Sequence, residues 1–291
     1  MTTPPTVALL GTGTMGLPIA RNLAAAGLAL RVWNRSRDKA EPLAELGAIV
    51  ADSPDRAVAN ADIVITMLFD RDSVAETMRQ AAPGLRPGAS WIQLSTVGVA
   101  GAGQLAELAT ELGLRYLDAP VLGTKKPAED GTLVILASGD PELQAECQPV
   151  FEAIGSRTIW VGPAGHGSRL KLAANAWVIA VTEGIAESLT LASGLGVDPA
   201  LFLAAVQGGA LDAPYVQLKG NAMLAGNWAA AFALDGARKD AGLILAAAAD
   251  AGIEMAITRA ALGYLDRASE AGHGDKDMSA IYLGHQDGAT A

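Results

Sequence analysis

The six residues Gly11-Thr-Gly-Thr-Met-Gly16 constrain this chain more than any other stretch. They follow at once on a short apolar run, Thr6 to Leu10, and lead into LPIARNLAAAG, which reads as a helix. A strand that turns through glycines at this spacing and leaves as a helix is the opening unit of a parallel, doubly wound sheet. The first glycine permits the tight turn and the second lets a pyrophosphate approach the backbone. The third lets helix pack closely on strand. The helix N-terminus then offers amide donors to phosphate. Gly11, Gly13, Thr14, Met15 and Gly16 are therefore candidate dinucleotide contacts.

The second strand, LALRVWN, ends at Asn34-Arg35-Ser36-Arg37. An NAD site usually places Asp or Glu here to hold the ribose 2′-hydroxyl. This strand end has no acid. Two arginines around a serine would instead suit a 2′-phosphate, which points to NADP(H) with Asn34, Arg35 and Ser36 as contacts. The alternative is that both arginines are surface residues starting a helix. Further apolar strands follow: ADIVITML, SWIQLSTV, RYLDAPVL, LVILASG and TIWVG. Their ends at Leu68, Ser95-Thr96 and Gly123 are expected to open on one crevice, because ligands sit beyond the carboxyl ends of such strands.

The alternation stops at the breaker cluster Gly162-Pro163-Ala164-Gly165. Gly165 to Gly194 reads as one long helix, and the patterns after it are helical alone. The expected fold is α/β: a dinucleotide-binding domain over 1–163 and an all-helical domain over 164–291, joined by that long helix. Residues from Gly284 onward read as a mobile tail. On the long helix Lys171 and Asn175 stand four residues apart and so share a face. Such a pair can donate to one carbonyl oxygen, Asn175 orienting it and Lys171 protonating the alkoxide that a hydride leaves. The competing reading is a solvated surface lysine.

The formal charge, 21 − 31 = −10, argues against nucleic acid and anionic membrane as partners. The single cysteine, Cys147, excludes an intrachain disulfide, and the expected compartment is the cytoplasm. The N-terminal residues show no basic segment of a secretory signal. Glu183, Glu187 and Asp250 interrupt the long apolar runs, so no membrane span is expected. His166, His273 and His285 lack metal-ligand spacing, and no metal site is expected. Tyr215 and Lys219 fit the YxxxK spacing of short-chain reductases, but in the helical half and without that family's serine the match reads as coincidence.

Taken together, GTGTMGLPIARNL, ADIVITML, LSTV, DAPVLGTKKPAEDGTL, GHGSRLKLAANAW and FALDGARKD make the chain resemble the β-hydroxyacid (3-hydroxyisobutyrate) dehydrogenase family over nearly its whole length. KKPAEDG and the NRS strand end are most similar to its glyoxylate and succinic semialdehyde reductases, which are NADPH-dependent. The resemblance implies a Rossmann domain and an all-helical second domain that builds a homodimer or homotetramer. By position it implies that Lys171 is the catalytic lysine and Asn175 the carbonyl-orienting asparagine. It makes Thr96 and Lys239 cofactor contacts, beside Leu68 expected from its strand end, and Phe232 and Asp240 substrate contacts.

One departure stands out. Where the family's DAPVSG loop carries a carboxylate-binding serine, this chain has Leu122. The backbone at Gly123 and Thr124, or Lys125 turned inward, would have to serve instead. The expected activity is reduction of a small aldehyde or keto acid, glyoxylate or succinic semialdehyde, with NADPH. Alternatives are a bulkier apolar carbonyl or imine, a 3-hydroxyisobutyrate-type dehydrogenation, or a non-catalytic NADPH-binding module.

Overall fold

The structure, a computed structural model, describes residues 5–286. It divides into two compact units, Met1–Lys171 and Leu172–Ala291.

The first unit is built on a nine-stranded sheet. Its strands are β1 (Thr6–Leu10), β2 (Ala29–Trp33), β3 (Ile49–Val50), β4 (Ile63–Thr66), β5 (Ser90–Gln93), β6 (Arg115–Asp118), β7 (Val121–Leu122), β8 (Leu133–Gly139) and β9 (Gly155–Gly162). They lie in the order β3-β2-β1-β4-β5-β6-β8-β7, with β9 also pairing β8. From β3 to β6 every pairing is parallel, whereas β8 runs antiparallel to β6 and β7. Helices α1 (Gly16–Ala25), α2 (Pro54–Val58), α3 (Arg71–Ala81), α4 (Gly98–Glu111), α5 (Lys125–Glu129) and α6 (Gln144–Ile154) make the connections.

Alternation along each strand divides the buried side chains between two cores. Leu9, Ile63, Ile65 and Ile92 belong to one, and Ala8, Leu10, Val64 and Trp91 to the other. All four residues of β4 and of β5 are buried, as expected of central strands covered on both faces. Each such aliphatic side chain contributes roughly 1.5–3 kcal/mol on burial. Two local features depart from the sequence reading. The run RYLDAPVL is not one strand: it breaks at Ala119-Pro120 into β6 and β7, because proline has no N–H for the ladder. The two-residue β3 was missed, being too short to show any periodicity.

The long helix α7 (His166–Gly194) begins in the first unit and carries the division between Lys171 and Leu172. The second unit continues with α8 (Ala200–Val206), α9 (Pro214–Ala225), α10 (Leu234–Asp250) and α11 (Ala256–Ala268), and closes with a 3-10 helix, Met278–His285. That last element corrects the expected mobile tail. Gly284 is buried so tightly that a Cβ there would lie 2.4 Å from the Tyr264 carbonyl oxygen. The His285 ring stacks on Tyr264 at 3.7 Å between centroids and pairs with buried Glu183 at 2.9 Å. The rest of the expected tail, residues 287–291, lies outside the described residues. No helix among the described residues is long and apolar enough to cross a membrane.

Candidate active site

At the carboxyl ends of β1, β2 and β4 the first unit holds a cleft of about 560 Å³. The glycine turn forms its floor. Gly11 sits at φ +106°, and a side chain there would meet the Met67 carbonyl oxygen at 2.3 Å. A Cβ on Gly16 would lie 1.9 Å from the Gly11 carbonyl oxygen, so the turn closes only with glycine at both places. Nothing lies within 4 Å of a Cβ placed on Gly13, which leaves room for a ligand against the backbone. No side chain caps the N-terminus of α1 and no acid stands in its first turn. Its amide donors thus face the cleft with no acid of their own first turn beside them; Glu76 of α3 also lines the cleft.

All nine candidates from Gly11 to Leu68 line this cleft: Gly11, Gly13, Thr14, Met15 and Gly16 from the turn, Asn34, Arg35 and Ser36 from the β2 end, and Leu68 from the β4 end. Asn34 fastens the turn to the strand end. Its Oδ1 accepts from the Thr12 N–H at 3.0 Å, and its Nδ2 donates to the Ser36 carbonyl at 2.9 Å. Leu68 is held from behind, its N–H donating to buried Ser95 Oγ at 2.8 Å. Thr96 is half-buried just beyond β5 and is not among the cleft-lining residues.

The second cation expected beside Ser36 is not Arg37. That guanidinium donates to Glu41 at 2.6 Å and to Asp52, so neighbouring acids already engage it. Lys39 lines the cleft in its place. One turn of 3-10 helix over Arg37–Lys39 turns Lys39 toward Arg35 and Ser36, which a strand-end motif alone did not disclose. Gly-rich floor, open helix N-terminus and a basic rim fit the pyrophosphate and 2′-phosphate of a dinucleotide.

Leu122 is half-buried on β7, opposite Val134 of β8, and Gly123 and Thr124 follow it into the N-terminus of α5. Lys125 does not turn inward: it is exposed and pairs with Glu129 at 3.8 Å, one helical turn on. Lys171 and Asn175 lie one turn apart on α7, and both are buried, at 9% and 5% exposure. A lysine solvated on the surface is thereby excluded. Asn175 Nδ2 donates to Asp240 Oδ2 at 2.6 Å, and Lys239 Nζ lies 3.0 Å from the other carboxylate oxygen of Asp240. The second unit thus gathers Asn175 and Lys239 around the Asp240 carboxylate. Phe232 rests its ring on Gly236, where a Cβ would come within 2.8 Å of the ring.

The YxxxK look-alike has a structural explanation. Lys219 Nζ donates to Asp277 Oδ1 at 2.6 Å with both side chains buried. Asp277 Oδ2 also accepts from the Ala231 and Phe232 amides, at 3.0 and 3.3 Å. Tyr215 shares a hydrogen bond with Thr182 at 2.9 Å, and burial pushes its phenol up to about 12, too high for proton transfer near neutrality. Among the described residues no cluster of three or more His, Cys, Asp or Glu is placed to hold a metal.

An NAD(P)-binding sheet followed by a helical unit, with Lys171 and Asn175 buried one turn apart on α7, defines a class, the pyridine-nucleotide oxidoreductases. Residues 6–162 match the model of the NAD binding domain of 6-phosphogluconate dehydrogenase. Residues 165–283 match that described as NAD-binding of NADP-dependent 3-hydroxyisobutyrate dehydrogenase. The chain is 35% identical to a chloroplastic glyoxylate/succinic semialdehyde reductase 2 of Arabidopsis thaliana, over 94% of this chain and 78% of that protein. A solved 3-hydroxyisobutyrate dehydrogenase of Mycobacterium tuberculosis is 30% identical with a TM-score of 0.86, covering 97% of this chain and 99% of that one. An imine reductase of Myxococcus stipitatus in complex with NADP+ is more distant, at 25% identity and a TM-score of 0.63, over 96% of this chain and 99% of that one. The chain belongs to the β-hydroxyacid dehydrogenase family, whose members are NAD(P)-dependent oxidoreductases acting on CH–OH and C=O groups.

Proposed function

We propose that the protein is an NADPH-dependent reductase of a small aldehyde or keto acid, of the glyoxylate or succinic semialdehyde type. The observation that carries this reading is the buried Lys171 one helical turn from Asn175, whose amide is held by Asp240. The dinucleotide, when bound, supplies the hydride. Lys171 then gives a proton to the oxygen that becomes the hydroxyl, and Asn175 donates to that oxygen and orients the carbonyl. Arg35, Ser36 and Lys39 suit a 2′-phosphate, and no carboxylate stands at the β2 end to favour a free ribose.

In this reading Thr96 and Lys239 contact the cofactor, and Leu122, Gly123, Thr124, Phe232 and Asp240 contact the substrate. The second unit leaves Trp177, Leu195, Leu211, Leu218, Ile253 and Ile257 exposed, which suits burial in a homodimer or homotetramer. The lone thiol, Cys147, is buried with its pKa pushed up to about 12, in keeping with a cytoplasmic enzyme that makes no disulfide.

A second reading is favoured by Leu122 alone. An aliphatic side chain in place of a carboxylate-binding serine suits a bulkier, apolar carbonyl or imine. The test is NADPH consumption across glyoxylate, succinic semialdehyde, uncharged aldehydes and cyclic imines. Fastest turnover with the two acids supports the first reading. Turnover confined to apolar carbonyls or imines replaces it with the second.

A further inference from the structure

Helix α7 starts on the sheet. The first four amide N–H groups of a helix have no partner inside it, and here each has one outside or at the margin. His166 donates to the Pro163 carbonyl at 3.1 Å and Arg169 to that of Gly165 at 3.2 Å. The two between them are held by side chains from strand ends: Gly167 N–H donates to Ser138 Oγ at 2.8 Å, and Ser168 N–H to Asp118 Oδ2 at 2.8 Å. The Ser168 hydroxyl adds a second bond, to Asp118 Oδ1 at 2.8 Å. Ser138 Oγ donates in turn to the Asp118 carbonyl oxygen at 3.0 Å.

Asp118 closes β6 with no exposure at all. Burial raises its carboxyl from the ordinary value, against the opposing bonds from Ser168 and Ser138. Gly167 lets the helix come this near, since a Cβ there would lie 2.2 Å from the Leu136 carbonyl oxygen. A buried carboxyl costs stability that an apolar contact would not, and what it adds is fixed geometry at a positive helix end. Ser168 and Lys171 are three residues apart on the helix and so neighbours on one face.

We propose that Asp118 is a positioning residue: by gripping Ser168 it sets the height and rotation of the first turn of α7, and through them the place of the Lys171 ammonium. The role rests on the reading of Lys171 as the acid. Misplacing a catalytic group by about 1 Å costs on the order of 100-fold in rate.

The test compares Asp118→Ala, Asp118→Asn and Ser168→Ala, each alone and combined with Lys171→Met. The readouts are amide hydrogen exchange over residues 166–171, kcat and KM with NADPH and succinic semialdehyde, and NADPH fluorescence titration. Asp118→Ala is expected to speed exchange at Gly167 and Ser168 by about 10- to 100-fold. It should also lower kcat about 100-fold with NADPH affinity unchanged, and add nothing in the Lys171→Met background. Asp118→Asn restores most of the rate, because its amide oxygen accepts from the Ser168 N–H while its NH₂ donates to a rotated Ser168 hydroxyl.

Wild-type kcat in Asp118→Ala, or an equal fall in both backgrounds, overturns the proposal. Should Asp118→Ala fail to fold, Ser168→Ala decides: a fall of about tenfold that vanishes with Lys171→Met supports it, and no fall or an equal one in both overturns it. Lys171→Met with wild-type turnover instead removes the acid itself. That failure is distinct from a silent Asp118→Ala beside an inactive Lys171→Met.

Discussion

Asn175 gives an amide hydrogen to Asp240 Oδ2 across 2.6 Å, both residues being buried. An ionised carboxylate can only accept, so the amide must turn its nitrogen, not its oxygen, toward Asp240. The side chain is therefore held with its second N–H in a set direction. Asp240→Ala should lower kcat/KM for a carbonyl substrate about 10- to 100-fold, the value of a hydrogen bond to a charged group. In a double-mutant cycle with Asn175→Ala the two losses should overlap. Full additivity in that cycle would show the two residues acting independently.

Lys171→Met keeps length and helix propensity but removes the proton. Turnover should fall by about 10²- to 10⁴-fold while NADPH binds as before. Stopped-flow turnover and cofactor fluorescence separate the two. Loss of NADPH binding would make Lys171 a cofactor residue instead.

The basic rim makes a three-way prediction. Arg35→Ala and Lys39→Ala should each raise KM for NADPH, by a factor of about 10 to 100, and leave that for NADH nearly unchanged. Arg37→Ala should change neither, because its guanidinium is spent on Glu41 and Asp52 at the surface, where such pairs contribute about 0–1 kcal/mol. Equal use of both cofactors by the unaltered enzyme would contradict the phosphate reading.

Leu122→Ser should raise kcat/KM for glyoxylate or succinic semialdehyde relative to an uncharged aldehyde. A regained hydrogen bond to a carboxylate is worth about 1.5–3 kcal/mol. An unchanged ratio would mean that another group already holds the carboxylate.

The buried pair Lys219–Asp277 should matter to stability and not to chemistry. Burial raises the Asp277 carboxyl, but the hydrogen bond and charge of Lys219, with the Ser279 amide, outweigh it and leave the group below its usual 3.8. A carboxyl lowered on folding contributes stability above the unfolded value and loses it as pH falls through the folded one. Lys219→Met strands a buried charge and should cost about 3–5 kcal/mol at pH 7. The deficit should shrink as pH falls toward about 4 and below, because the variant's unpaired Asp277, raised by burial, takes up its proton before the paired carboxyl does. Urea unfolding of both proteins at the two pH values checks the amount and the sign.

Local patterns were enough for most of the scaffold. Short apolar runs located the strands, and glycines at first, third and sixth place located the turn by their spacing alone, although the close approach that demands glycine at position 11 comes from Met67 at the end of β4. The helical spacing of Lys171 and Asn175 likewise needed nothing beyond five consecutive residues. Pro120 and the two-residue β3 misled the reading for local reasons, but its other failures came from contacts made by residues distant in sequence. His285 looked like part of a mobile tail, yet it pairs with Glu183, 102 residues earlier. Arg37 and Lys39 are equivalent as letters, and Asp52, 15 residues on, is what draws Arg37 away.

The same division runs through the site. Residue types and spacing declared a dinucleotide turn, a basic strand end and a Lys/Asn face. No spacing rule could join Asp118 to Ser168 across 50 residues, Asn175 to Asp240 across 65, or Lys219 to Asp277 across 58. A strand or helix is specified by neighbours along the chain, whose periodicity is written in the sequence. The partner of a buried charge is chosen by the free-energy cost of leaving it unsolvated, and that cost is met only by groups that folding brings within about 3 Å.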